Sequence, residues 1–227
     1  MTTFEKTDRN RVRRAPQRGA YDAETIYTII DAALFCHVGL VQDEQPVVIP
    51  TLHARRGDEL LLHGAATSRL LQHVQAGHPV SVAITLLDGV VLARSVFHHS
   101  INYRSVVLFG TGRLVDADDE KMAALEQFTE RIMPGRWADA RQPNAQELKA
   151  TAVVAVPIES ASAKVRMGPP KDDEDDYQLP IWAGVIPITQ QVGAPQPDPK
   201  LHDGIPLPPY VCEYVERRSG RRTTNDE

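Results

Sequence analysis

The chain has 227 residues, and its 25 Lys and Arg against 30 Asp and Glu leave a formal net charge of -5. An acidic balance argues against a nucleic-acid-coating protein, which is ordinarily basic, and no apolar run approaches the roughly eighteen residues a membrane helix needs. Hydrophobic residues make up 42% of the chain, enough for a real core, and the two cysteines, Cys36 and Cys212, sit far apart in no metal-type spacing. That usage fits a reducing compartment. The opening "MTTFEKTDRNRVRRAP" has charges but no apolar signal core. The expectation is a soluble, cytoplasmic protein with no membrane and no nucleic-acid partner.

In chain order, "DAETIYTIIDAAL" predicts a helix capped by Asp22, with Ile26, Ile29, Ile30 and Ala33 on one face. Short strand-like runs follow at 35–41, 46–55 and 59–63, separated by "QDEQ" and "RRGDE", which read as hairpin turns. A helix at 67–76 turns Leu70, Leu71 and Val74 inward and stops at Gly77. "PVSVAITLLDGVVLARS" reads as a hairpin about Asp88-Gly89. Strand character runs from Tyr103 to Val115, then a helix over about 118–133, then a last strand in "TAVVAVPIESASAKV".

Composition changes near residue 157; from Pro157 onward fall eleven of the 17 prolines, beside the acidic run "KDDEDD". Proline removes ladder donors and like charges repel, so no second core is expected there. The reading is an N-terminal arm over 1–19, one folded domain over 20–166, and an extended proline-rich, acidic segment over 167–227 that packs partly on the barrel or a partner. Within that segment the part after about residue 192 reads as dispensable. Hairpin succession with inserted helices predicts a mainly β, α+β fold: a small antiparallel barrel with peripheral helices, since closure removes exposed edges.

Three stretches carry candidate chemistry. In "HGAATSRLLQHV" a strand ends at His63 and Gly64, and a helix begins near Ser68 and Arg69. Free N–H groups and a partial positive charge suit a phosphate there, with a hydroxyl from Ser68 and a charged fork from Arg69. The same residues also read as an ordinary capped helix with a solvated arginine. In "HHSINYRSVVLFGTG", Ser100, Asn102, Tyr103, Arg104 and Ser105 could hold a polar planar ligand or form a well-satisfied turn at a barrel rim. His98 and His99 on a strand would point to opposite faces and cannot share a metal. In "QLPIWAGVIPI", Trp182 anchors the tail on its own barrel or covers a partner's site, and "RVRR" at 11–14 reads as a solvated or dimer-contacting arm. No nucleophile elbow or activated cysteine is present. No catalytic residue is assigned, although Tyr103, His98 and His99 are candidates by type.

"LLLHGAATSRLL", "HHSINYRSVVLFGTGRLV" and "WAGVIP" together resemble the flavin-nucleotide-binding branch of the pyridoxamine 5'-phosphate oxidase-like split barrels. Nitroimidazole-reductase-like proteins belong to the same group. The resemblance covers about residues 10–190. It implies a homodimer of split β-barrels with FMN in clefts between the subunits. Backbone groups of Pro50, Thr51, Leu52 and His53 would line the isoalloxazine edge, and His63 and Gly64 would continue that wall. Ser68 and Arg69 would hold the phosphate, Arg104 and Ser105 would lie near the ring, and Trp182 would pack on the cofactor from the other subunit. Departures matter too. Arg69 is followed by Leu70 rather than lysine, a serine replaces the family's glutamine, and the C-terminal arginine-rich motif is missing. Pyridoxamine phosphate oxidation is therefore not expected. The resemblance implies an FMN-dependent oxidoreductase acting on an unidentified small molecule. The alternatives are a flavin carrier or sensor without turnover, or a split barrel holding deazaflavin or haem.

Overall fold

The computed structural model describes residues 2–219. In chain order the elements are β1 (Gly19–Ala20), α1 (Ala23–Ala32), β2 (Phe35–Gln42), β3 (Gln45–Leu52), β4 (Ala54–Arg56), β5 (Glu59–Ala65), α2 (Arg69–Gln75), β6 (Pro79–Leu92) and β7 (Ser100–Thr111). There follow β8 (Arg113–Leu114), α3 (Asp118–Ile132), α4 (Arg136–Asp139), α5 (Ala145–Ala150), β9 (Thr151–Pro157), β10 (Ser160–Arg166), β11 (Gly184–Pro187) and α6 (Pro209–Arg218). None of the described helices is long and apolar enough to cross a membrane.

Local chemistry explains several of these boundaries. Asp22 accepts from the Thr25 N–H at 2.8 Å, which caps α1 and holds the carboxyl below its ordinary pKa. Asp43 and Glu44 both take positive φ, 50° and 59°, as a two-residue turn between right-twisted strands requires. Gly77, at φ 76°, follows α2 where a left-handed residue stops a helix.

The strands form two antiparallel sheets. The larger has the order β1-β10-β7-β6-β2-β3, with β11 added against β6, and the smaller has the order β4-β5-β9-β8. The chain passes between sheets four times, from β3 to β4, β5 to β6, β7 to β8 and β9 to β10, and the last two passages meet at one crossing. At that crossing a Cβ on Gly110 would meet the Pro157 carbonyl oxygen at 2.6 Å, and one on Gly112 would meet Ala155 O at 2.9 Å. Only hydrogen fits, which is why the apolar run of β7 closes in glycines. The main core lies between the sheets and under α1 and α2, around Ile26, Ile30, Leu60, Leu62, Val74 and Ile84. A second cluster sits on the other side of β9, where Ala124 and Phe128 of α3 meet Leu61 and Val153. Because β9 is buried on both faces, its sequence is apolar throughout rather than alternating.

Two expectations about the strands are corrected. Asp88-Gly89 is no turn: β6 continues to Leu92 with a register shift between Leu87 and Gly89, and the chain reverses at residues 93–99. Arg104 of β7 grips the Asp88 carboxylate with two bonds, of 2.7 and 2.9 Å. A Cβ at Gly89 would meet Ile186 O of β11 at 3.0 Å. Strand-long pairing and a close third strand outweigh the local turn preference, and the glycine serves a bulge. "TAVVAVPIESASAKV" is two strands, not one, split between the sheets after Pro157.

The C-terminal segment also holds more structure than its composition suggested. Arg94 and Ser95 N–H groups bond the Asp172 carboxylate at 2.9 and 3.2 Å, which ties down the acidic run. Beyond residue 192, α6 starts at Pro209, where a missing N–H costs nothing. Its Tyr210 hydroxyl donates to Asp139 at 2.6 Å and accepts from Arg136 at 2.9 Å. The part expected to be dispensable therefore includes a docked helix. The expected extended segment reaches to residue 227, and its last eight positions lie outside the described residues.

Candidate functional site

The residues singled out by sequence fall into three groups. Pro50, Thr51 and Leu52 lie on β3, the free edge of the large sheet. Such an edge keeps unpaired backbone donors and acceptors, as a ring-binding wall requires. His53 differs: its N–H already bonds Leu34 O at 3.3 Å, and its imidazole is only 1% exposed, with Nε2 donating to Ile30 O at 3.0 Å. His63 turns toward α3, its ring 4.2 Å from that of Phe128, while Gly64 leads on toward α2. Ser68 precedes α2 without spending its hydroxyl on a cap, and Arg69 is exposed and makes no ion pair or hydrogen bond with the described residues.

Arg104 and Ser105 form the second group, and the strand pleat sends them to opposite faces. Arg104 is committed to Asp88, and the Ser105 hydroxyl donates to Lys164 O at 3.2 Å. Two strands, β6 and β2, separate β7 from β3, so these residues stand roughly 14 Å from the Pro50–Leu52 edge. Within one protomer they do not share a wall with it. Trp182, the third group, is 65% exposed and uncovered by its own barrel.

What the fold builds around Arg69 is a trough on the outer face of the β2–β3 hairpin. One part, of about 410 Å³, lies between Arg69, Gln72, His73 and His78 on one side and Val41 to Asp43 on the other. It shares Val41, His73 and His78 with an apolar part of about 500 Å³ floored by Gly39, Pro46, Val48 and Phe109. The two imidazoles pack against each other at the junction, tilted by 39° with ring centroids 4.9 Å apart, and His73 Nε2 donates to Pro79 O at 3.2 Å. Arg9 lies over the Phe109 ring at 4.4 Å and gives the apolar end a cation. From the hairpin turn beside Arg69, Pro50 lies five residues along β3, roughly 17 Å. An anionic group at Ser68–Arg69 and a planar ring over the apolar strands fit that layout.

His73, His78, Arg9 and Val48 were not singled out by sequence. His73 had a readable signal, since it stands four residues after Arg69 on one helix face. His78, Arg9 and Val48 had none, because only the sheet brings them to one place. Elsewhere, the reversal before β7 lifts His98 off the strand and places it 3.3 Å from Asp173. With Asp176 these groups bring one potential ligand atom each within 4.8 Å, an exposed cluster from distant parts of the chain.

The buried histidines make stability depend on pH. Burial pushes the His53 pKa down to about 4, and burial lowers that of His63 as well. The unfolded chain, with imidazoles near about 6.5, takes up these protons first. Both groups therefore contribute stability that is present above about pH 6.5 and is lost as the pH falls below it, for His53 down to about 4. For His53 the loss is on the order of 3 kcal/mol. Denaturant unfolding from pH 7 to about 4 is expected to give a steeper decline for wild type than for His53→Gln. Parallel declines would show that His53 is not a buried neutral group.

The chain belongs to the pyridoxamine 5'-phosphate oxidase family, whose model matches residues 22–165. Its fold is that family's split barrel. No curated protein matches the sequence. Among solved structures the chain is similar to the flavocytochrome Anf3 from Azotobacter vinelandii, with 40% identity, a TM-score of 0.87, and coverage of 91% of this chain and 96% of that one. It is also similar to the FAD and heme binding protein from Mycobacterium smegmatis, at 40% identity and a TM-score of 0.83, over 86% of this chain and 96% of the other. A putative 5-nitroimidazole antibiotic resistance protein from Bacteroides thetaiotaomicron is 23% identical at a TM-score of 0.54, over 63% of this chain and 84% of that one, and speaks to the fold alone.

Proposed function

We propose that the chain is a flavin-binding redox protein that also holds a haem, a homodimer acting on a small molecule still to be identified. The observation that carries this reading is the trough, apolar along its floor, with two accessible imidazoles at its centre and, at one end, an Arg69 that pairs with none of the described residues. Two structures 40% identical over most of their length, a flavocytochrome and a FAD and heme binding protein, support both cofactors. The sequence resemblance implied FMN, and the Mycobacterium smegmatis relative favours FAD instead.

The residues fit these groups. Ser68 and Arg69 offer an uncommitted hydroxyl and guanidinium to a flavin phosphate, and the free edge of β3 offers backbone groups to the ring. His78, with no ring partner among the described residues save the tilted His73, is the better placed imidazole for an iron. Bound flavin supplies one- and two-electron transfer, and the chain's part is to orient it and exclude water. Exclusion requires a second copy. The outer face of the large sheet leaves Phe35, Val48, Leu87 and Val107 uncovered, and Trp182 has nothing over it. A partner on this face would cover them all, and cofactor binding and dimerisation would then be linked.

The test is the visible spectrum of the purified protein, with chromatography of the released flavin and light scattering for mass. Flavin bands with a Soret band, released FAD and a dimer mass are expected. Protein that stays colourless after incubation with FAD, FMN and hemin would overturn the proposal. A monomer retaining stoichiometric flavin would overturn the shared site.

A further inference from the structure

A second cleft, of about 480 Å³, lies at the opposite end of β7 from the trough. Phe109 of the trough is nine residues along β7 from Ser100 of this cleft, roughly 30 Å. Three separate segments supply its walls. β1 pairs with β10 and so brings Arg14 and Arg18 beside Arg166. Gly168, at φ 99°, turns the chain back so that Lys171 closes the same side. The reversal before β7 adds Phe97, His98 and His99.

The charge in this cleft is uncompensated. Arg166 is 7% exposed, and it donates to Asn102 Oδ1 and to the carbonyls of Gly168 and Pro169, the latter two at 3.3 and 3.4 Å. Its buried Nε has no partner. Among the described residues, no carboxylate pairs with Arg14, Arg18, Arg166 or Lys171, although thirteen ion pairs form elsewhere. The nearby Asp172 is spent on Arg94, and Asp173 faces His98. Burying a guanidinium beside other cations is costly unless an anion completes the group. Phe97 is 86% exposed on the lip of this cleft, a bare aromatic face beside four cations. A single anion such as chloride would use the charge but not the ring.

We infer that this cleft binds a nucleotide diphosphate, its phosphoanhydride oxygens held by Arg14, Arg18, Arg166 and Lys171 and its base stacked on Phe97. Two sources share that chemistry: the adenylate half of FAD reaching over from a partner's trough, and a separate pyridine dinucleotide. The inference holds whichever flavin fills the trough, because it is measured on flavin-free protein.

The experiment is calorimetric titration of the full-length, flavin-free protein with ADP and with inorganic pyrophosphate. Arg166 is left intact because its loss could unfold the chain, and the variants are R18Q, K171Q and F97A, each checked for an unchanged Tm. R18Q and K171Q should each weaken both ligands about tenfold. F97A should weaken ADP about tenfold and leave pyrophosphate unchanged. Absence of binding at millimolar ligand, or equal affinities in wild type and the two charge variants, overturns the anion site. An F97A protein that binds ADP as well as wild type overturns the nucleotide. FAD-loaded protein then separates the sources. Loss of ADP binding on loading assigns the cleft to the adenylate of FAD, and retained binding with competition by NADH assigns it to a pyridine dinucleotide.

Discussion

Arg69→Gln is expected to bind FMN or FAD ten- to a hundredfold more weakly than wild type, while its affinity for riboflavin stays the same. Losing a charge-assisted hydrogen bond to phosphate costs about 1.5–3 kcal/mol, and each 1.4 kcal/mol is about tenfold in affinity. The fold should not notice, because Arg69 is exposed and holds nothing among the described residues. Riboflavin serves as the internal control, since it lacks the phosphate but presents the same ring. Fluorescence titration of the three flavins against both proteins decides the matter. Equal FMN affinities would remove Arg69 from the site and return it to the solvated surface.

The largest effect on stability is expected from Gly110→Ala. A Cβ there would sit 2.6 Å from Pro157 O and 2.8 Å from Val156 Cγ1, and the first of these is backbone that cannot rotate away. Relief requires the two sheets to part at the point where the chain crosses between them. Overpacking of this kind costs about 1–3 kcal/mol. In a chain of this size that is a fall in Tm of roughly 2–10 °C. Gly193→Ala is the matching control, with open space around its Cβ and a change expected within about 0.5 kcal/mol. A Gly110→Ala protein that melts with wild type would mean that the two sheets part at the crossing at little cost.

Much of the fold was legible because its signals are local. Periodicity placed α1, α2 and α3, and turn chemistry placed the β2–β3 and β4–β5 reversals, each within a few residues. The errors also have a common form. Asp88-Gly89 carries a strong local preference for a turn, yet Arg104 and β11 hold it in a bulged strand. Pro208-Pro209 suggested chain without structure, yet the second proline begins α6, which is held by Tyr210 against α4. In both cases a partner distant in sequence outweighed a short-range preference.

The site divides along the same line. Ser68 and Arg69 were singled out because a strand end, a glycine and a helix start are neighbours in the chain, an order that suits an anion. The stretch from His98 to Ser105 looked like one ligand wall, but alternation along β7 sends its side chains to different tasks: Arg104 to the bulge, Ser105 to β10, Asn102 to Arg166. The sequence by itself determined the antiparallel architecture through periodicity and turn residues, and its motifs carried the resemblance to the family that the family model then matched. Only the tertiary structure decided that His73 and His78 face an apolar trough and that three cations converge around a buried arginine. Those groups come from segments far apart in the chain, and no local pattern encodes a distance that pairing between strands alone creates.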